Sequence, residues 1–263
     1  MSFLTPVLIV GIIGLLAGVM LAVASIVMSV PKDETAEALE EILPGANCGA
    51  CGFSGCSGYA AAMSKGEAKP GLCSPGGEEV AKQCAQLLGA GDVQVEYKTA
   101  LVQCLGSNDN TAEKFVYNGI PSCSAANLLT GSVTGCRYGC MGMGDCTQVC
   151  DYGAITVCNG VAKVDPHKCR GCSKCVDICP KGIIKFVPLK SQAVVRCSSC
   201  DKGKDVIAAC KIGCIGCKKC ENTCEFGAVA VENNLARVDP EKCTACGKCA
   251  EVCPRHVITM LEV

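Results

Sequence analysis

The sequence predicts an α+β chain: an N-terminal transmembrane helix, a small cysteine-rich domain, then two tandem copies of one further module. Three observations carry this. Residues 3–30 hold no charge, cysteine occurs 27 times in 263 residues, and residues 146–184 recur without a gap as residues 220–258. The expected divisions are an anchor over 1–31, a cysteine domain over 32–90, a connecting segment over 91–133, and modules over 134–190 and 191–263.

The anchor comes first. As a helix, its 28 uncharged residues would reach roughly 42 Å at about 1.5 Å per residue, enough to span a tilted hydrocarbon core. Pro6 suits a first helical turn, and Pro31 with Lys32 marks the end. A cleaved signal peptide fits less well, because a basic leader is missing and the apolar run is too long. Gly14 and Gly18 offer a close-packing face to a neighbouring membrane helix. Residues 32–46 follow as an acidic run with Leu39, Ile42 and Leu43 at helical spacing, which predicts a short amphipathic helix.

Next comes Cys48-x2-Cys51-x4-Cys56-x16-Cys73, flanked by small residues that let the backbone approach a bulky inorganic core. Zinc is a stronger rival here than in the later motifs.

The modules carry the clearest chemistry. Cys169-x2-Cys172-x2-Cys175-x3-Cys179-Pro180 is echoed by Cys243-x2-Cys246-x2-Cys249-x3-Cys253-Pro254. Three crowded thiolates grip three corners of a [4Fe-4S] cube, while the fourth cysteine reaches the neighbouring cube. Each copy therefore reads as a two-cluster ferredoxin-like module, and the small domain before them as an iron-sulfur domain. Crossover assigns Cys136, Cys140, Cys146 and Cys179 to one cube and Cys150, Cys169, Cys172 and Cys175 to another. In the second module it assigns Cys214, Cys217, Cys220 and Cys253, then Cys224, Cys243, Cys246 and Cys249.

The first set leaves an alternative. Met143 stands where the second copy has Cys217, so either the first module uses a looser Cys136-x3-Cys140-x5-Cys146 loop, or the ligand sets of the two modules correspond more closely than this assignment has them. Asp151 and Glu225 replace the usual proline after the fourth cysteine and bring a negative charge that should favour the oxidised state.

Five [4Fe-4S] clusters are thus expected. Seven thiols remain: Cys84, Cys104, Cys123, Cys158, Cys197, Cys200 and Cys210. Free cysteine is a common buried residue, which accounts for most of them. Cys123 and Cys197 also match at the 74-residue offset of the repeat, which leaves room for a sixth metal site. Structural zinc is disfavoured in the modules because their cysteines are too crowded and only His167 and His256 could assist. A disulfide framework is disfavoured by the same crowding.

With no Trp and 4% aromatic residues, apolar burial in such small modules is marginal, and metal must supply much of the folding free energy. Residues 154–157 and 161–164 around Asn159-Gly160 read as a hairpin, and residues 228–231 and 235–238 around Asn233-Asn234 as its counterpart.

Charge is unevenly spread: residues 136–220 carry fourteen Lys and Arg against six Asp and Glu. That block would steer a small acidic redox protein. Soluble ferredoxin is expected to dock near Lys168, Arg170, Lys174, Lys202 and Lys204, whereas nucleic acid is disfavoured because no aromatic platform accompanies the charge. No strand-linked GxGxxG occurs, so nucleotide chemistry belongs elsewhere and no catalytic residue is assigned. Low-potential clusters and free thiols suit a reducing compartment, which puts the body of the chain in the cytoplasm behind a single-pass anchor in the inner (cell) membrane.

The anchor, the CGACGFSGC motif, Cys73-Ser74-Pro75-Gly76-Gly77, the loop from Gly135 to Cys146 and the run Gly213-Cys214-Ile215-Gly216-Cys217 together resemble the B subunit of the Rnf electron-transport complex over nearly the whole chain. The resemblance implies a membrane assembly that moves electrons between reduced ferredoxin and NAD, coupled to Na+ or H+ translocation. It also implies that this subunit receives the ferredoxin electrons, with other subunits of the complex as partners. The duplicated module matches the longer variants. Two other readings share some features: a membrane-tethered reductase of a transcriptional redox sensor, and the electron-transfer subunit of a membrane dehydrogenase or hydrogenase. The first is disfavoured by the second module and the basic block, the second by the CGACGFSGC motif.

Overall fold

The computed structural model describes residues 4–27, 33–91, 93, 95, 97–114, 116–190 and 192–261. Helix α1 (Leu4–Val27) contains no ionisable side chain. Its stretch Val7–Ala24 is long and apolar enough to cross a membrane, and none of it is buried. Phe3, residues 28–30, Pro31 and Lys32 lie outside the described residues.

Helices α2 (Glu34–Ile42), α3 (Cys56–Ser64) and α4 (Gly77–Leu87) form the small N-terminal domain. Asp33 caps α2 by accepting from the amides of Thr35 and Ala36, which satisfies donors left free in a first turn. The expected amphipathic face is present, with Leu39 and Leu43 packed against Tyr59, Met63 and Cys84. Cys84 is therefore an ordinary core residue. The Tyr59 hydroxyl donates to the carbonyl of Lys69 (2.8 Å) and accepts from the amide of Leu72 (3.1 Å), which fastens the loop leading to Cys73.

The first module contains β1 (Lys98–Val102), α5 (Cys123–Thr130), α6 (Asp145–Gln148), β2 (Ile155–Cys158), β3 (Val161–Val164), α7 (Lys174–Ile178) and β4 (Ile184–Pro188). The second contains β5 (Gln192–Val195), α8 (Gly203–Ala209), α9 (Lys219–Thr223), β6 (Val229–Glu232), β7 (Leu235–Val238), α10 (Lys248–Glu251) and β8 (Ile258–Leu261). Both hairpins form in the expected places: β2 pairs β3 with Ile155 opposite Val164, and β6 pairs β7 with Val229 opposite Val238. Their turn residues Asn159, Gly160, Asn233 and Asn234 all have positive φ, as a two-residue turn matched to strand twist requires.

The segment over 91–133 does more than connect. Residues 98–102 form β1, which pairs antiparallel with β4, Lys98 opposite Pro188. In the second module β5 pairs with β8 in the same way, Gln192 opposite Leu261. The repeat thus has a first strand that the 74-residue alignment hides. Cys104 lies 32 residues before Cys136, whereas Cys197 lies 13 before Cys210. The longer first connection carries α5.

One contact explains matching glycines. A Cβ on Gly142 would meet the carbonyl oxygen of Gly160 at 2.5 Å, and one on Gly216 would meet Asn234 Cα at 3.1 Å. In both modules the cysteine loop rests directly on the hairpin turn.

Candidate metal centres

All 27 cysteines are free thiols. In the small domain, Asn47 accepts from the amide of Cys56 (2.8 Å), starting α3 and turning the loop that bears Cys48 and Cys51. Burial, then the nearby Cys56, Cys51 and Cys48, push the Cys73 thiol up to about 11. The four expected thiols therefore stand together.

The outer set of the first module is Cys150, Cys169, Cys172 and Cys175. Burial and the other three members push Cys175 up to about 12. The amide of Ala100 donates to Cys169 Sγ (3.4 Å) and that of Ala154 to Cys150 Sγ (3.3 Å). The second module repeats the arrangement: Ala193 N–H donates to Cys243 Sγ (3.5 Å) and Ala228 N–H to Cys224 Sγ (3.3 Å), with Cys246 and Cys249 alongside. Donors aimed at sulfur are what cluster-binding thiolates need.

The inner set of the second module, Cys214, Cys217, Cys220 and Cys253, lines one cavity together with Ala236, Val257 and Ile258. The inner set of the first module departs from expectation. The corresponding cavity is lined by Cys123, Cys140, Cys146 and Cys179, with Val102, Ile183 and Ile184. Burial and then Cys140, Cys123 and Cys179 push Cys146 up to about 12. Cys136, expected in this set, does not line the cavity; α5 brings Cys123 to it instead, and Met143 stands where the second copy has Cys217. Asp145 fixes that delivery by accepting from the amides of Cys123 (2.8 Å) and Ser124 (3.0 Å) and from the Ser122 hydroxyl (2.9 Å). Burial opposes its ionisation, yet these donors hold Asp145 below the usual carboxylate range. The missing thiol beside Met143 was the one sequence signal that a distant cysteine had to be recruited.

Cys136 lines a different cavity, shared with Cys104, Cys197 and Cys210. The structural counterpart of Cys197 is thus Cys104, and not Cys123 as the repeat offset suggested: both accept two backbone N–H groups at their sulfur, Cys104 from Gly106 and Cys140, Cys197 from Ser199 and Cys214. Of the other unassigned thiols, Cys158 is exposed on β2 and Cys200 is partly buried against the second core.

Buried thiols of such raised pKa ionise at neutral pH only against a cation, so these sets suit metal and not free nucleophiles. No three His, Cys, Asp or Glu side chains among the described residues converge as a single ion would demand. Instead the thiols of both inner sets line cavities, as ligands to the separate corners of a cluster do.

The charges expected beside the outer sets are compensated: Lys174 Nζ lies 2.6 Å from Asp151, and Lys248 Nζ 2.7 Å from Glu225. Within the expected docking block, Lys168 also faces Asp165 at 3.9 Å. Arg170, Lys202 and Lys204 form no ion pair among the described residues.

Contacts link three of the sets. Ser173, between Cys172 and Cys175, donates through its hydroxyl to the carbonyl of Cys48 (3.4 Å), joining the small domain to the first outer set. Cys175 in turn lies within electrostatic reach of Cys146 in the inner set.

Three family models match: one described as a putative Fe-S cluster over residues 43–75, and two described as 4Fe-4S binding domains over residues 161–184 and 236–259. The chain is 40% identical over 249 residues to the B subunit of the ion-translocating oxidoreductase complex of Methanosarcina acetivorans, covering 94% of each. It is 39% identical over 259 residues to the B subunit of the Na(+)-translocating ferredoxin:NAD(+) oxidoreductase complex of Acetobacterium woodii, covering 98% of this chain and 78% of that one. It is 40% identical over 251 residues to the proton-translocating counterpart of Clostridium ljungdahlii, covering 94% and 88%.

Proposed function

Because the chain belongs to the B-subunit family of ion-translocating oxidoreductase complexes, we propose that it is the electron-relay subunit of a membrane-bound ferredoxin:NAD oxidoreductase coupled to Na+ or H+ translocation. It takes electrons from reduced ferredoxin. The observation that carries this is the series of cysteine sets, each with at least one buried thiol and furnished with backbone donors or apolar walls, three of them joined through contacts. When bound, [4Fe-4S] clusters supply one-electron carriers along that series.

The proposed ligands are Cys48, Cys51, Cys56 and Cys73 in the small domain; Cys150, Cys169, Cys172 and Cys175 with Cys123, Cys140, Cys146 and Cys179 in the first module; and Cys224, Cys243, Cys246 and Cys249 with Cys214, Cys217, Cys220 and Cys253 in the second. The protein's part is to hold these groups close, exclude water with residues such as Ile155, Ile184, Val229 and Ile258, and aim N–H dipoles at sulfur. Helix α1 bears no ionisable group, so ion passage belongs to partner subunits. The cysteine domains face the cytoplasm, where ferredoxin is reduced, and ferredoxin docks on the basic block through Arg170, Lys202 and Lys204.

The test is anaerobic mixing of the detergent-purified full chain with reduced ferredoxin. Visible iron-sulfur absorbance should bleach, and joint reversal of Arg170, Lys202 and Lys204 to Glu should slow that bleaching at low salt, with the difference fading at high salt. Zinc in place of iron, or absorbance indifferent to reduced ferredoxin, would overturn the relay reading; unchanged kinetics in the triple variant would overturn the docking surface alone.

A further inference from the structure

Four cysteines that belong to none of the five sets meet between the two modules. Cys104 follows β1, Cys136 opens the first cysteine loop, Cys197 follows β5, and Cys210 ends α8; together they line a single cavity. We propose that Cys104, Cys136, Cys197 and Cys210 bind a sixth [4Fe-4S] cluster that bridges the modules.

The site is built twice over, once by each module. Cys104 Sγ accepts from Gly106 N–H and Cys140 N–H, both at 3.4 Å; Cys197 Sγ accepts from Ser199 N–H at 3.5 Å and Cys214 N–H at 3.4 Å. These are the same N–H to sulfur contacts that serve the outer sets, and two such donors on one buried sulfur suit a thiolate better than a thiol. The backbone comes close to these thiols. A Cβ on Gly106 would stand 3.4 Å from Cys104 Sγ and 3.8 Å from Cys210 Sγ, so this glycine faces thiols of both modules.

Charge gives an independent indication. Arg196 also lines the cavity, and its Nε donates to the carbonyl of Val102 (2.8 Å). It is partly buried, and no carboxylate pairs with it among the described residues. A partly buried guanidinium without a carboxylate is costly unless an anion faces it, and a cubane held by four thiolates is an anion. Core cysteines would not require this cation.

Position gives the site its role. Cys104 is one hydrogen bond from Cys140 of the first inner set, and Cys197 is one hydrogen bond from Cys214 of the second. The contacts that lock the modules surround it: Ser198 Oγ donates to the carbonyl of Gln103 (3.0 Å), Ala112 N–H to that of Ala209 (3.1 Å), and Arg137 pairs with Asp201. Resting on the relay reading above, the bridge joins the series of one module to that of the other. Each transfer oxidises one cluster by one electron and reduces its neighbour by one, with reduced ferredoxin as the source.

Native mass spectrometry of the anaerobic, detergent-solubilised full chain tests this without any substitution. Six cubanes, about 24 iron and 24 sulfide per chain, are expected. Joint replacement Cys104→Ala and Cys197→Ala should remove about four of each and abolish the magnetic coupling between modules seen by EPR, while signals from the pairs within each module persist. Five cubanes in the unsubstituted chain, or five cubanes with one zinc, would overturn the bridge and leave the relay reading intact. A chain without iron would overturn the relay reading on which the bridge rests.

Discussion

Replacing Asp145 with Ala probes the delivery of Cys123. Asp145 is 9% exposed, and its carboxylate accepts three hydrogen bonds, all at 2.8–3.0 Å, from the start of α5. Little else holds that helix, since Ala126 is its buried residue and Leu128 and Leu129 are 87% and 75% exposed. Hydrogen bonds to a charged acceptor contribute about 1.5–3 kcal/mol each and do not add fully. Their joint loss should cost about 3–5 kcal/mol, concentrated on α5 and not spread over the module. At about 1.4 kcal/mol per tenfold, α5 amides should exchange hydrogen at least roughly a hundredfold faster, read by mass spectrometry on the full chain. With Cys123 adrift, iron should fall by about four per chain. Asp145→Asn, which keeps the shape but turns an amide donor toward other donors, should fall between. Unchanged exchange in α5 would refute the tether, and fast exchange with full iron content would refute Cys123 as a ligand.

Three further outcomes follow from the same geometry. Gly142→Ala should destabilise the first module by more than about 2 kcal/mol, because φ is +70° there and the new Cβ would meet Gly160 O at 2.5 Å; a shift in thermal midpoint within error would contradict the packing of loop on turn. Tyr59→Phe should cost about 1–3 kcal/mol by leaving the Lys69 carbonyl and Leu72 amide without their partner, and should make the Cys73 site the first to lose iron to a chelator. Full removal of iron should collapse the strand signal in far-ultraviolet circular dichroism, because both module cores are built around cysteines such as Cys146, Cys175, Cys220 and Cys249. Retention of the native spectrum would show that apolar packing suffices.

Much of this protein was legible in its residues. The anchor, both hairpins and four of the five expected cysteine sets follow from patterns a few residues long, or from a crossover that the repeat states twice. Short spacings are reliable because chain connectivity already brings such thiols within reach of one another, and Asn159-Gly160 or Asn233-Asn234 dictates a tight turn wherever it occurs. The first inner set escaped because its thiols do not obey a local spacing. Cys123 reaches it on a helix tethered by Asp145, whose carboxylate is 22 residues away in sequence from the Cys123 amide it accepts.

The meeting of Cys104, Cys136, Cys197 and Cys210 was decided by tertiary structure alone. The sequence by itself determined that iron-sulfur chemistry belongs here and which loops carry it, since those are properties of composition and near neighbours. Which distant thiols share a cavity depends on β1 crossing to β4 and β5 to β8, and on one module docking against the other. Such pairings join segments far apart in the chain, where loop length places little constraint on the partner. The longer connection in the first module further concealed the equivalence of Cys104 and Cys197, which became visible only through their matching hydrogen bonds to sulfur.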